Sequence, residues 1–398
     1  MGILDGPALY GLYRKNKKQR SKKMNMDQVK QFIFDKTRKN GQIFQDQLPT
    51  STKEGEYQFD EWGTWVGSFW TGLNFLCYEM SQDESYLEVA RKSRHRFKRR
   101  LYERPETLDH DIGFLYSLSC VADYKLTGNE EAKKIALDAA KVLKERFREK
   151  GQYIQAWNVW NPGDLYSEGN RGRMIVDCMY NLPILFWAAE QTGDQSYYKV
   201  AVAHADTTAK YLVREDYTAY HTFVFDPVTG EPKYGETHQG YGDDSCWARG
   251  QAWLIGGFAH AYKYTKEEKY LEIAKKVADV FLARLEEDFI PMWDFTLPNK
   301  EGEPRDASAA SIAAASLLEL SQHLAGEEKQ HYQQWSYKIL ESLYENYSTK
   351  DEPNNQGLIL HACGHRPAGK DLDCSLIYGD YYFAEGIARL LDATKTYW

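Results

Sequence analysis

Six stretches of this 398-residue chain are apolar almost all the way round. They run Ser68–Met80, Asp111–Lys125, Val176–Gln191, Gly250–Tyr264, Ala307–His323 and Tyr381–Ala393. A helix without a polar face is buried on every side. Each stretch runs into a short turn, at Ser81, Thr127, Thr192, Thr265, Ala325 and Thr394. Beyond the turn the pattern becomes an apolar stripe with a charged opposite face, as in EEKYLEIAKKVADVFLARL. That is the mark of a helix lying half in water. Asp27–Asn40 gives the first buried helix an amphipathic partner of the same kind. Six inner helices, each with an outer one, predict an all-α fold, an (α/α)6 barrel.

The turns recur at spacings of 46, 65, 73, 60 and 69 residues, while the helices keep their length. The difference must lie in connections on the opposite face, which lead into the inner-helix N-termini. These are Gln58–Gly67, Tyr102–His110, Gly151–Ile175, Asp216–Arg249, Asp288–Asp306 and Asp351–Asp380. Loops on a rigid scaffold are where function concentrates. Strand signals are few; HTFVFDP and the YGETHQG region suggest one short hairpin. No Pro- or Gly-rich linker divides the chain. Residues 27–398 are read as one domain and 1–26 as a flexible basic tail, with Met24 and Met26 as alternative starts.

Composition narrows the function. Net charge is -8, and the one basic run, Tyr13–Lys23, lies in the tail, so nucleic acid is not expected. No signal-like stretch or run of ~18 apolar residues is present, so no membrane is expected and the chain reads as cytoplasmic. Six scattered cysteines without a C-x-x-C predict neither disulfides nor structural zinc. The 29 Tyr, 17 Phe and 11 Trp exceed what a core alone requires, and such rings suit sugar binding as well as packing.

The polar residues at the inner-helix starts include Asp109, His110, Asp111, Arg171, Asp177, His238, Gln239, Arg249, Arg305, Asp306 and Asp380. Trp65, Trp157, Trp160, Trp247 and Trp253 fall on the same side. Converging carboxylates and indoles suggest a carbohydrate site. A single Asp at a helix start is more often a cap. Asp177 resists that reading, because MIVDCMYNLPILF is so apolar that an unpaired carboxylate there is costly. Burial would raise its pKa and make it a proton donor near neutrality. The ten histidines form no H-E-x-x-H and no close cluster with Cys or Asp, so neither metal nor cofactor is expected.

Several long motifs then resemble the unsaturated glucuronyl hydrolases, family 88 of the glycoside hydrolases. They are LDHDIGFLYSLS, QAWN, GRMIVDCMYNLPILFWA, THQGYGDDSCWARGQAWLIGGFA, PRDASAASIAAASLLEL and IYGDYYFAEGIARL, from about residue 57 onward. The resemblance implies an (α/α)6 barrel that removes a Δ4,5-unsaturated uronate from lyase-generated disaccharides of chondroitin, hyaluronan or heparin type. It implies Asp177 as acid/base and Asp111 as second essential carboxylate. Trp65, Trp157, Trp247 and Trp253 would stack on sugar, and His221, Gln239, Arg249, Tyr378 and Lys370 would contact substrate. Arg249 is left between two roles, pairing with the uronate or fixing its loop. A Ser-x-x-Ser-x-Lys pattern marks family members that accept sulfated substrates. Here it reads His365-Arg-Pro-Ala368-Gly-Lys370, so strong activity on 6-sulfated sugars is not expected unless His365 and Arg366 compensate. An unsaturated rhamnogalacturonyl hydrolase and an inactive sugar-binding barrel are the alternatives. A monomer or homodimer is expected.

Overall fold

A computed structural model describes residues 24–398. The inner segments are α2 (Gly67–Ser81), α5 (Ile112–Tyr116) continued through α6 (Ala122–Thr127), α9 (Pro183–Thr192), α11 (Ala248–Thr265), α13 (Ala307–Gln322) and α15 (Ile377–Leu390). The outer helices are α1 (Met26–Phe44), α3 (Glu84–Lys92) with α4 (Arg94–Glu103), α7 (Glu130–Glu145), α10 (Gln195–Tyr211), α12 (Glu268–Ala283) and α14 (Gly326–Tyr347). Each inner segment packs on the next, and α15 returns to α2, so the ring closes as an (α/α)6 barrel. No helix of the described residues is long and apolar enough to cross a membrane. All six cysteines are free and buried.

Three of the six recurring turns share one chemistry. Hydroxyls of Ser81, Thr192 and Thr265 donate to the carbonyls of Cys77, Ala188 and Ala261 four residues back. The same oxygens accept the N–H two residues ahead, from Asp83, Asp194 and Glu267. The residue between, Gln82, Gly193 or Lys266, takes a left-handed φ. Asp83 and Asp194 then cap the next helix. A hydroxyl that ends one helix thus starts the turn into its partner.

Two inner segments are irregular, and they carry Asp111 and Asp177. A π turn over Ser117–Val121 interrupts the second, and a 3-10 turn over Val176–Asn181 opens the third. Such breaks in a helix concentrate at functional sites.

Small sheets and a four-residue helix, α8 (Leu165–Glu168), lie in the connections of the open face. The expected hairpin exists as β6 (Thr222–Phe225) and β7 (Pro232–Glu236), joined by β5 (Arg173–Ile175) into an antiparallel sheet of order β5-β6-β7. Hairpins β1 (Leu48–Lys53) with β2 (Glu56–Asp60) and β3 (Phe147–Arg148) with β4 (Tyr153–Ile154) were not expected. The β1–β2 loop is Glu54-Gly55, both with φ > 0, the two-residue turn whose twist matches paired strands. Most of the expected tail, residues 1–23, lies outside the described residues. Its last residues belong to the packed body. Met24 is buried and its N–H donates to Tyr337 Oη at 2.9 Å, while Asn25 caps α1.

Candidate active site

Strand β5 delivers Asp177 two residues past its end, and His221 directly precedes β6. Val176 N–H donates to His221 O at 3.0 Å, locking the two together. Asp111 stands at the start of α5, but its side chain caps nothing. Asn181 joins the two carboxylate-bearing turns. Its Oδ1 accepts Phe114 N–H at 2.6 Å and its Nδ2 donates to Asp177 O at 3.2 Å. The approach is so close that a Cβ on Gly113 would overlap the Asn181 backbone. Gly113 is therefore required by contact, not by φ.

Burial dominates the electrostatics. It pushes the Asp177 carboxyl up to about 7, against the pull of Arg249 and the Trp253 indole N–H. One Asp177 oxygen is buried without a hydrogen-bond partner among the described residues, and the Trp253 N–H completes no hydrogen bond of normal geometry either. Burial, then the charges of Asp109 and Asp177, push Asp111 well above the ordinary carboxylate range. His110 Nδ1 faces Ala156 O at 3.2 Å, and its Nε2 lies 3.2 Å from Asp111. Burial lowers His110 to about 4, so the imidazole is neutral. Asp109, His110 and Asp111 offer ligand atoms within 4.8 Å of one another, a closer His/Asp grouping than the sequence suggested. A turn explains it, since Asp109 Oδ1 accepts Asp111 N–H at 3.0 Å.

His221 is also neutral. Its Nδ1 accepts the N–H groups of His238 and Gln239 at 3.0 and 3.2 Å, which leaves the proton on Nε2. That nitrogen is buried and unpartnered among the described residues, a free donor. Burial holds its pKa well below the usual value.

Above these groups opens a cleft of about 490 Å³. Of the expected residues, Trp65, Trp157, Gln239, Arg249, Lys370 and Tyr378 line it. Asp111 and Asp177 lie beneath the lining, reached through His110 under Trp157 and through Trp253 beside Trp65. Trp247 and Trp253 are buried at 3% and 0% exposure, so they support the floor and present no open face to a sugar. His221 sits 4.5 Å from the Trp247 ring. Arg249 fixes its loop. Its guanidinium donates to Asp306 and Cys363 O at 2.7 Å and Gly364 O at 2.6 Å, and stacks over Trp247. Asp306 and Asp380 are likewise committed to backbone and side-chain donors.

The segment His365–Lys370 is a tight turn on the rim, closed by reciprocal backbone bonds of 2.9 and 3.1 Å. Lys370 is exposed there, and His365 lines the cleft. Arg366 is not available to it, being held by Glu303 through two 3.0 Å bonds. The β1–β2 hairpin supplies one wall through Ser51, Gln58 and Phe59, a contribution the sequence reading missed. Its signal was present in the Glu-Gly turn between alternating residues. Asn181 and Gly113 were also missed, because their partners are 67 to 68 positions away.

Residues 36–390 match Glycosyl Hydrolase Family 88. The chain belongs to that family. It is 42% identical to the unsaturated glucuronyl hydrolase of Bacillus sp. (strain GL1), over 91% of this chain and 96% of that protein. It is 38% identical to an unsaturated chondroitin disaccharide hydrolase of Streptococcus pneumoniae, over 90% of each. The fold superposes on the crystal structure of the Bacillus sp. GL1 enzyme with a TM-score of 0.87, at 40% identity, covering 92% and 97% of the two chains. An unsaturated glucuronyl hydrolase specific for heparin gives 0.83 at 29% identity, covering 94% and 99%. This family 88 chain is therefore a glycoside hydrolase of the unsaturated glucuronyl type.

Proposed function

We propose that the protein removes the Δ4,5-unsaturated uronate from the non-reducing end of lyase-generated glycosaminoglycan disaccharides. The observation that carries the reading is the buried Asp177 carboxyl, held up to about 7 with an oxygen left unpartnered. Such a group keeps a proton near neutrality and can both give and take one. The substrate is a vinyl ether, so a nucleophile on C1 is not needed. Asp177 protonates C4, and the ionised carboxylate then takes a proton from the water that adds at C5. The C5 hemiketal opens to a ketone, and the C1 hemiacetal so formed collapses and expels the second sugar. Asp111, its carboxyl pushed up by burial and by the charges of Asp109 and Asp177, stands beside Asp177 and helps orient the substrate.

The His221 Nε2–H is a free donor for a sugar oxygen, and Trp65 and Trp157 offer apolar faces in the cleft. Gln239 and Tyr378 add polar edges, and Lys370 adds a positive charge on the rim for an anionic substrate. Relatives named as chondroitin disaccharide hydrolases support that class, as does a Streptococcus agalactiae enzyme mutant complexed with dGlcA-GalNAc6S. With no serine in the 365–370 turn and Arg366 committed to Glu303, unsulfated disaccharides should be preferred over 6-sulfated ones. The test follows loss of the C=C ultraviolet absorbance on a panel of unsulfated, 2-, 4- and 6-sulfated unsaturated disaccharides. Turnover fastest on the unsulfated member is expected. No turnover on any Δ4,5-uronide would overturn the reading.

A further inference from the structure

Beyond α15 the chain turns back into the closed end of the ring. Asp392 and Thr396 take left-handed φ values of 52° and 57° at the bends. Glu79, at the end of α2, accepts Lys395 N–H at 2.7 Å, Thr394 Oγ1 at 2.8 Å and Tyr397 Oη at 3.1 Å. Lys263 of α11 donates to Trp398 O at 2.9 Å and Thr396 Oγ1 at 3.2 Å. Trp398 itself is wholly buried. Its indole N–H donates to Glu385 at 3.0 Å, and Arg389 ties Glu385 to Glu319 of α13. The ring lies nearly parallel to Tyr382, at 6.2 Å and 11°. It meets Tyr180 edge-on at 5.2 Å and Phe114 edge-on at 6.0 Å. Through these contacts one side chain joins the inner segments from the side opposite the cleft.

We infer that Trp398 is a positioning residue for the Asp111–Asp177 pair, an inference that rests on the roles proposed above for those aspartates. Phe114 is three residues past Asp111, and its N–H is bound by Asn181. Tyr180 is three residues past Asp177 and next to Asn181. The indole therefore backs the clamp that sets the two carboxyl-bearing turns against each other. Without it, both rings can relax into the space left behind. A small displacement of the turns is enough to lose turnover, because proton transfer depends on alignment.

The experiment uses the full chain with Trp398→Ala, Trp398→Leu and Trp398→Phe, assayed well below every melting temperature. Trp398→Ala should stay folded by circular dichroism and lose about tenfold or more in kcat. KM should stay within about threefold, since the cleft lining is untouched. The alkaline limb of the kcat profile should move with the altered burial of Asp177, and Trp398→Phe should restore most of kcat. If Trp398→Ala does not fold, Trp398→Leu carries the same comparison. A folded variant with wild-type kcat and an unmoved alkaline limb, changed only in melting temperature, would overturn the inference. Wild-type protein inactive on every Δ4,5-uronide would instead overturn the activity it rests on.

Discussion

Asp177 is stored in a state that costs the fold stability. Its folded pKa of about 7 lies above its unfolded value, so the folded protein holds an extra proton between the two. The cost is absent below about pH 4, where folded and unfolded states are both protonated, and it grows until pH has risen through about 7. By pH 8 the buried charge costs at most roughly 4 kcal/mol. Asp177→Asn removes the cost. Its melting temperature should match the wild type near pH 4 and exceed it near pH 8, while kcat falls by about 10²–10⁴. Equal melting curves at pH 8 would show that the carboxyl is not strained. In the wild type, kcat should fall as pH passes about 7, because the ionised acid has no proton for C4. A pH profile in buffers of constant ionic strength checks this; a rate that climbs through pH 8 contradicts it.

At the scale of elements, the site is a contact between the short helix α5, which opens just after Asp111, and the 3-10 turn Val176–Asn181. Gly113 permits that contact and Asn181 bridges it. Gly113→Ala pushes a methyl into the Asn181 backbone, so both turnover and stability should suffer, the latter by about 1–3 kcal/mol. Asn181→Ala leaves the Phe114 N–H without its acceptor at a similar cost. Both are measured by denaturant titration alongside kcat. A Gly113→Ala enzyme with normal kcat would mean that the turns tolerate separation. The hairpin turns of the ring were legible because each closes an all-apolar stretch and opens an amphipathic one, a pattern read within a few residues. The Gly113–Asn181 contact was not, because it exists only once the second and third hairpins pack.

For the whole molecule, closure depends on contacts between the first and last parts of the chain. Buried Asp380 accepts Tyr57 Oη at 2.6 Å and the N–H groups of Leu358 and Ile359 at 2.8 and 2.9 Å. It thereby ties the β1–β2 hairpin to the last long loop and to α15. Asp380→Ala orphans three buried donors, each worth about 1–3 kcal/mol. The expected result is a melting temperature lower by several degrees and a raised KM, since that hairpin walls the cleft. Unchanged thermal unfolding would show that the closure does not depend on it.

The sequence by itself determined the ring and the places of its hairpin turns, and it singled out the two aspartates as candidates. Each of these is written in local periodicity or in a motif read within a few residues. Only the tertiary structure decided their states. It left the buried Asp111 side chain capping nothing and 3.2 Å from His110 Nε2, and it committed Arg249 to Cys363, Gly364 and Asp306. It buried Trp247 and Trp253 beneath the cleft and brought Trp398 under its floor. Burial and partner choice are sums over residues far apart in the chain, and no local pattern carries them.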